Sequence, residues 1–70
     1  MVNYRFYIVD HYEHITQVHV AECDNPEAIE RTARVLLAEN VTSLAVEAWD
    51  RGRRICRVER PAVNNVASPA

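Results

Sequence analysis

Residues 24–40 read DNPEAIERTARVLLAEN, and the fold turns on them. Asn25 is a good N-cap, with Pro26 at the first helical position, where a missing N–H costs nothing. Asp24 with Glu27 offers an alternative start as a capping box. Ile29, Ala33, Leu36 and Leu37 fall at i, i+4, i+7 and i+8 and make one apolar stripe. Glu27–Arg31 and Glu30–Arg34 are i,i+4 pairs with the acid first, the favourable order. The pattern predicts one helix running to about Glu39, with Asn40 as a left-handed stop.

Outward from this helix, each flank reads as a pair of strands. Residues 3–9 are aromatic and β-branched, and residues 15–21 alternate. The polar segment Asp10-His11-Tyr12-Glu13-His14 separates them and implies a hairpin. Beyond the helix, residues 43–49 alternate, Asp50-Arg51-Gly52 makes a turn, and residues 53–59 form a last strand. The expected fold class is therefore α+β, a two-layer ββαββ domain over residues 1–60. Residues 61–70 read as a disordered C-terminal tail.

Alternation also predicts which side chains are buried, because a slip of one residue turns every side chain over. A three-residue loop at 50–52, with Gly52 left-handed, sets Val46 opposite Cys56 and Leu44 opposite Val58. In the first hairpin, pairing Val9 with Ile15 sets Phe6 opposite Val18 and Tyr4 opposite Val20. The buried face then holds Tyr4, Phe6, Ile8, Val18, Val20, Leu44, Val46, Ala48, Cys56 and Val58, under the helix. The first and third strands are the more apolar, which gives an antiparallel sheet in the order 2-1-3-4. The opposite face shows Tyr7, Val9, Ile15, Trp49 and Ile55 among polar neighbours. It is too apolar to meet only water.

Composition narrows the classes of function. A chain of 70 residues makes one domain. Such a domain buries only about 60% of its unfolded surface, so its stability is marginal. The net charge of −2 supplies no global field for nucleic acid or an anionic membrane. Charge is uneven, however: residues 1–30 hold six acids against Arg5 alone, whereas residues 51–60 hold five arginines against Glu59. No apolar run approaches the roughly 20 residues that span a bilayer. No leader-like segment precedes Cys23 and Cys56, so the expected location is cytoplasmic, with reduced thiols.

The chain resembles short bacterial proteins grouped as domains of unknown function. The resemblance rests on Tyr4-Arg5-Phe6-Tyr7, on Cys23-Asp24 before Glu27-Ala28, and on Ala45-Val46-Glu47-Ala48-Trp49-Asp50 leading into a hairpin. It covers about residues 3–58. It implies a fold and no activity, cofactor or site residue.

Candidate chemistry is sparse. His11 and His14 form an H-x-x-H near Asp10, Glu13 and His19, residue types that ligate transition metals. The motif lies in a turn with no second pair, so it reads as a solvated loop. Cys23 precedes a helix N-terminus, a setting in which reactive cysteines occur. Nothing in the sequence supplies it with a base or an oxyanion site, and it reads as a small apolar corner residue. Gly52 is the sole glycine, so there is no phosphate-cradling loop. No catalytic residue, cofactor or metal is expected.

Two readings of the open face remain. Tyr, Trp and Arg are enriched at interface hot spots, and a small domain gains from burying such a patch in a symmetric dimer. The leading expectation is a non-enzymatic interaction module, a homodimer or a binder of another protein. Its contacts are Tyr7, Val9, Ile15, Trp49 and Ile55. The alternative is a single-stranded nucleic-acid-binding module that stacks bases on Tyr7 and Trp49 with Arg5, Arg53 and Arg57 around them.

Overall fold

The computed structural model of the protein describes residues 2–61. Its elements are β1 (Val2–Val9), β2 (Ile15–Cys23), α1 (Pro26–Glu39), β3 (Ala45–Asp50) and β4 (Arg53–Glu59). The strands form one antiparallel sheet in the order β2-β1-β3-β4, with α1 against one face. This is the expected α+β, ββαββ layout. The expected tail lies outside the described residues beyond Pro61.

The core sits between α1 and the central strands. Phe6, Ile8, Val46, Ala48 and Val58 from the sheet meet Ile29, Ala33 and Leu37 from the helix. Burying each large member of this set stabilises the fold by about 1.5–3 kcal/mol. Asn25 caps the helix, its Oδ1 accepting the Ala28 N–H at 2.8 Å, so the alternative start at Asp24 is not used. Glu30 and Arg34 pair at 2.6 Å.

The far end of the helix departs from expectation. Asn40 has φ −111°, not a left-handed conformation. Its side-chain amide donates to the Leu36 carbonyl at 2.8 Å instead. The last turn of α1 carries no basic residue of its own. Arg60, just past β4, takes that role: Nη2 donates to the Leu37 and Asn40 carbonyls at 2.6 and 2.9 Å, and Nε donates to the Ser43 carbonyl at 2.9 Å. A guanidinium suits carbonyls left open at a helix C-terminus, both as a donor and as a charge against the dipole.

Both hairpins differ in register from the sequence reading. In the first, Val9 does pair with Ile15, but a bulge follows, and Ile8 pairs with Gln17, Phe6 with His19 and Tyr4 with Ala21. Val18 and Val20 therefore face away from the helix. The parity of β2 is set at its far end, where Cys23 is buried beside Thr32, with Sγ 3.9 Å from Oγ1. Having Cys23 inside sends the even-numbered valines outside. Thr16 marks the bulge, its hydroxyl donating to the Ile8 carbonyl at 3.2 Å.

In the second hairpin the loop has two residues, Arg51 and Gly52, at φ 60° and 111°. Two positive φ values match the twist of a two-residue hairpin turn. A bulge between Ala48 and Trp49 then places Ile55 as an extra residue on β4, and Val46 meets Val58 rather than Cys56. Beyond the bulge the displacement is two residues, so Val46, Cys56 and Val58 keep their expected faces despite the different loop, whereas before it the displacement is one and Arg53 changes side.

Candidate functional site

One helix covers one face, and the other face divides into two halves. The half next to the 10–14 turn is closed by charge. Asp10 organises that turn, its Oδ1 accepting the Tyr12 and His14 N–H groups at 2.8 and 2.9 Å. The bond from His14 is the main reason its carboxyl lies below the usual carboxylate range. Glu13 adopts a left-handed conformation (φ 62°) and reaches Arg57 on the far edge strand at 3.1 Å. Arg57 also binds Glu59 at 2.8 Å and Glu47 at 2.5 Å.

This clasp spans β1 and β3, and at that end of the face Val9 and Ala45 are 4% and 0% exposed. Val9 was expected to contact a partner, but it is closed off. Arg57 was expected to meet nucleic acid, but three carboxylates engage it. Burial alone lowers its affinity for its proton, and the bonds to Glu13, Glu59 and Glu47 outweigh that and raise the pKa.

The other half is open, and its apolar strip runs along the β2 edge to Ile15, opposite the closed-off Val9. Ile15, Val18 and Val20 on β2 are 56%, 51% and 62% exposed. Beside them Tyr7 and Trp49 meet edge to face, with ring centroids 6.1 Å apart at 80°. Such a pair contributes about 0.5–1.5 kcal/mol beyond its buried area. The indole is fixed in place, because Nε1 donates to Glu47 Oε1 at 2.9 Å. Burial would raise the Glu47 pKa, but the bonds from Trp49 and Arg57, with the charges of Arg57 and Arg54, bring it below the usual range. A groove of about 480 Å3 runs here, lined by Arg5, Tyr7, Ile15, Glu47, Trp49 and Arg51. Among the described ion pairs, Arg5 and Arg51 take part in none.

Of the expected contacts, Tyr7, Ile15 and Trp49 thus come together, with Arg5 at the same groove. Ile55 lies on the β4 bulge and is 39% exposed. Arg53 pairs with Asp50, one step out of phase with Trp49 and Arg54, and so points to the other side of the sheet. Sequence reasoning missed Val18, Val20 and Arg51. The Xaa-Gly pair at 51–52 was the signal for a two-residue turn that brings Arg51 to the groove.

The remaining candidates do not assemble. His11 and His14 are exposed in the turn, while His19 lies on the helix side of β2 with Nε2 3.2 Å from Gln17 Oε1. Among the described residues no group of three or more His, Cys, Asp or Glu is arranged to hold a metal ion. Cys23 and Cys56 are free thiols. Burial, with the charge of Glu30, pushes the Cys56 thiol up, against a smaller opposing effect of Arg34. No helix among the described residues is long and apolar enough to cross a membrane. Comparison with family models, with curated proteins and with solved structures gives no match.

Proposed function

We propose that this protein is a non-enzymatic interaction module that joins a second copy of itself through the open half of its uncovered sheet face. The observation that carries this reading is the strip formed by Ile15, Val18 and Val20, all more than half exposed and continuous with the Tyr7–Trp49 pair. Exposed apolar side chains scattered singly need no explanation, but a contiguous group on one face marks a contact. The rigid aromatic pair supplies the kind of anchor that dominates interface energies. A two-fold axis lets one patch meet itself, so no second surface is required. A cytoplasmic location fits two unbridged thiols.

Light scattering after size exclusion, over a range of concentrations, tests this directly. The expected result is a dimer whose dissociation constant rises at least about tenfold on Trp49→Ala, the effect of losing one aromatic anchor. Helix content by circular dichroism should stay the same. A monomer at every concentration, or a dimer indifferent to Trp49→Ala, removes the reading.

A further inference from the structure

We propose that the groove between Arg5 and Arg51 is a ligand site for a small planar ring carrying a phosphate, with the ring against Tyr7 and Trp49 and the phosphate held by the two guanidinium groups. This goes beyond self-association and does not depend on it. Four observations on the molecule converge.

The first is charge. Arg5 and Arg51 both line the groove, and neither takes part in any of the described ion pairs. The one carboxylate at the groove, Glu47, is already bound by Arg57, Arg54 and the Trp49 indole, so it does not draw either of them. Two unpaired guanidinium groups at one hollow offer a phosphate several charge-assisted bonds at once. The second is shape. The groove measures about 480 Å3, and a neighbouring hollow of about 350 Å3 shares Arg5, Trp49 and Arg51 with it. That size is typical of small-molecule sites.

The third is preorganisation. Trp49 is held by Glu47, Glu47 by Arg57, and Arg57 by Glu13 and Glu59. An aromatic surface already fixed in place loses little freedom when a ring packs on it. The fourth is backbone strain. Arg51 adopts φ 60° at the first position of a two-residue turn, where Asn or Gly costs less. A side chain with a Cβ in that conformation is strained, and such strain gathers where a side chain is needed for its position.

Trp49 is the sole tryptophan, so its fluorescence reports the groove. The titration is run at a protein concentration where light scattering gives a monomer, so loss of ligand binding and loss of self-association are read apart. Adenosine monophosphate is the main probe, with adenosine, inorganic phosphate and a short single-stranded oligonucleotide as separate arms. Saturable quenching by adenosine monophosphate, at least about tenfold tighter than by adenosine or phosphate alone, supports the site. Saturable, salt-sensitive quenching by the oligonucleotide alone also supports it, and identifies the source as a strand rather than a free nucleotide. Arg51→Asn should weaken the response about tenfold while raising the thermal midpoint, since it removes charge and strain together; Arg5→Gln should weaken it with the midpoint unchanged. No saturable response to any arm at low salt, or a response indifferent to both substitutions, overturns the proposal.

Discussion

The two edge strands of this sheet are built on opposite plans. β4 is tied down over its second half. Val58 lies under the helix, Arg57 binds three carboxylates, and Arg60 just beyond it closes the end of α1. β2 meets the core only at Ala21 and Cys23, and from Ile15 to Val20 every residue is exposed. β4 is the arginine-rich strand and β2 the apolar one, so composition alone suggests the reverse assignment of structural and contact roles. An arginine stabilises when open carbonyls or carboxylates surround it, and a valine does little when nothing covers it.

The sharpest way to break this comparison is at Arg60. Arg60→Ala removes the guanidinium from the Leu37, Asn40 and Ser43 carbonyls, of which Leu37 keeps the Asn40 N–H and Asn40 keeps the Ser43 N–H and hydroxyl, and should lower unfolding free energy in urea by about 2–3 kcal/mol. Arg60→Lys should recover only part of that, because a lysine cannot span three carbonyls with a rigid fork. A loss below about 0.5 kcal/mol, the level of an ordinary surface change, shows that β4 is not the tied edge.

Arg57→Ala comes next, at about 2 kcal/mol, since it releases the turn and leaves the partly buried Glu47 with weaker partners. This variant also sharpens the pH dependence. Glu47 is below its ordinary value of 4.5 in the folded chain, so its contribution is complete above that value and is lost as pH falls through the folded pKa. Wild-type stability should therefore decline with acid more steeply than that of Arg57→Ala, as read by urea midpoints at pH 7 and below 4.5. Parallel declines remove the clasp as the cause.

Gly52→Ala follows, at about 1 kcal/mol, from backbone conformation alone: φ is 111°, yet an added Cβ meets nothing within 4 Å. The smallest stability effect belongs to Val20→Lys, within about 0.5 kcal/mol. Self-association measured by light scattering should nevertheless fall. A large loss of stability at Val20 with association intact reverses the comparison between the edges.

The sequence carried more of the topology than of the site. The capping residues, the helical stripe and the alternation of four strands sufficed for the element order and the sheet order. Register failed where bulges intervened. The bulge at Thr16 exchanged Val18 and Val20 for Gln17 and His19 on the helix face, and no propensity rule locates a single extra residue. In the second hairpin, the two-residue turn and the bulge at Ile55 together shifted the pairing by an even number, so the faces from Cys56 onward survived a wrong loop, while Arg53 before the bulge changed side. The clasp was illegible for another reason. Glu13 and Arg57 are 44 residues apart, and nothing local to either announces the other.

The Arg60 contact also fixes an order of events during synthesis. The helix leaves the ribosome well before the guanidinium that closes it, which follows Leu37 by 23 residues and Asn40 by 20. Until then the last turn of α1 has only the local bonds from Asn40 and Ser43, and the edge strand that packs against the helix is absent. A nascent chain ending short of residue 60 holds the pieces of the fold without its fastening. The bonds that fasten the end of α1 to the end of β4 therefore form only after β4 has emerged, however early the helix itself folds.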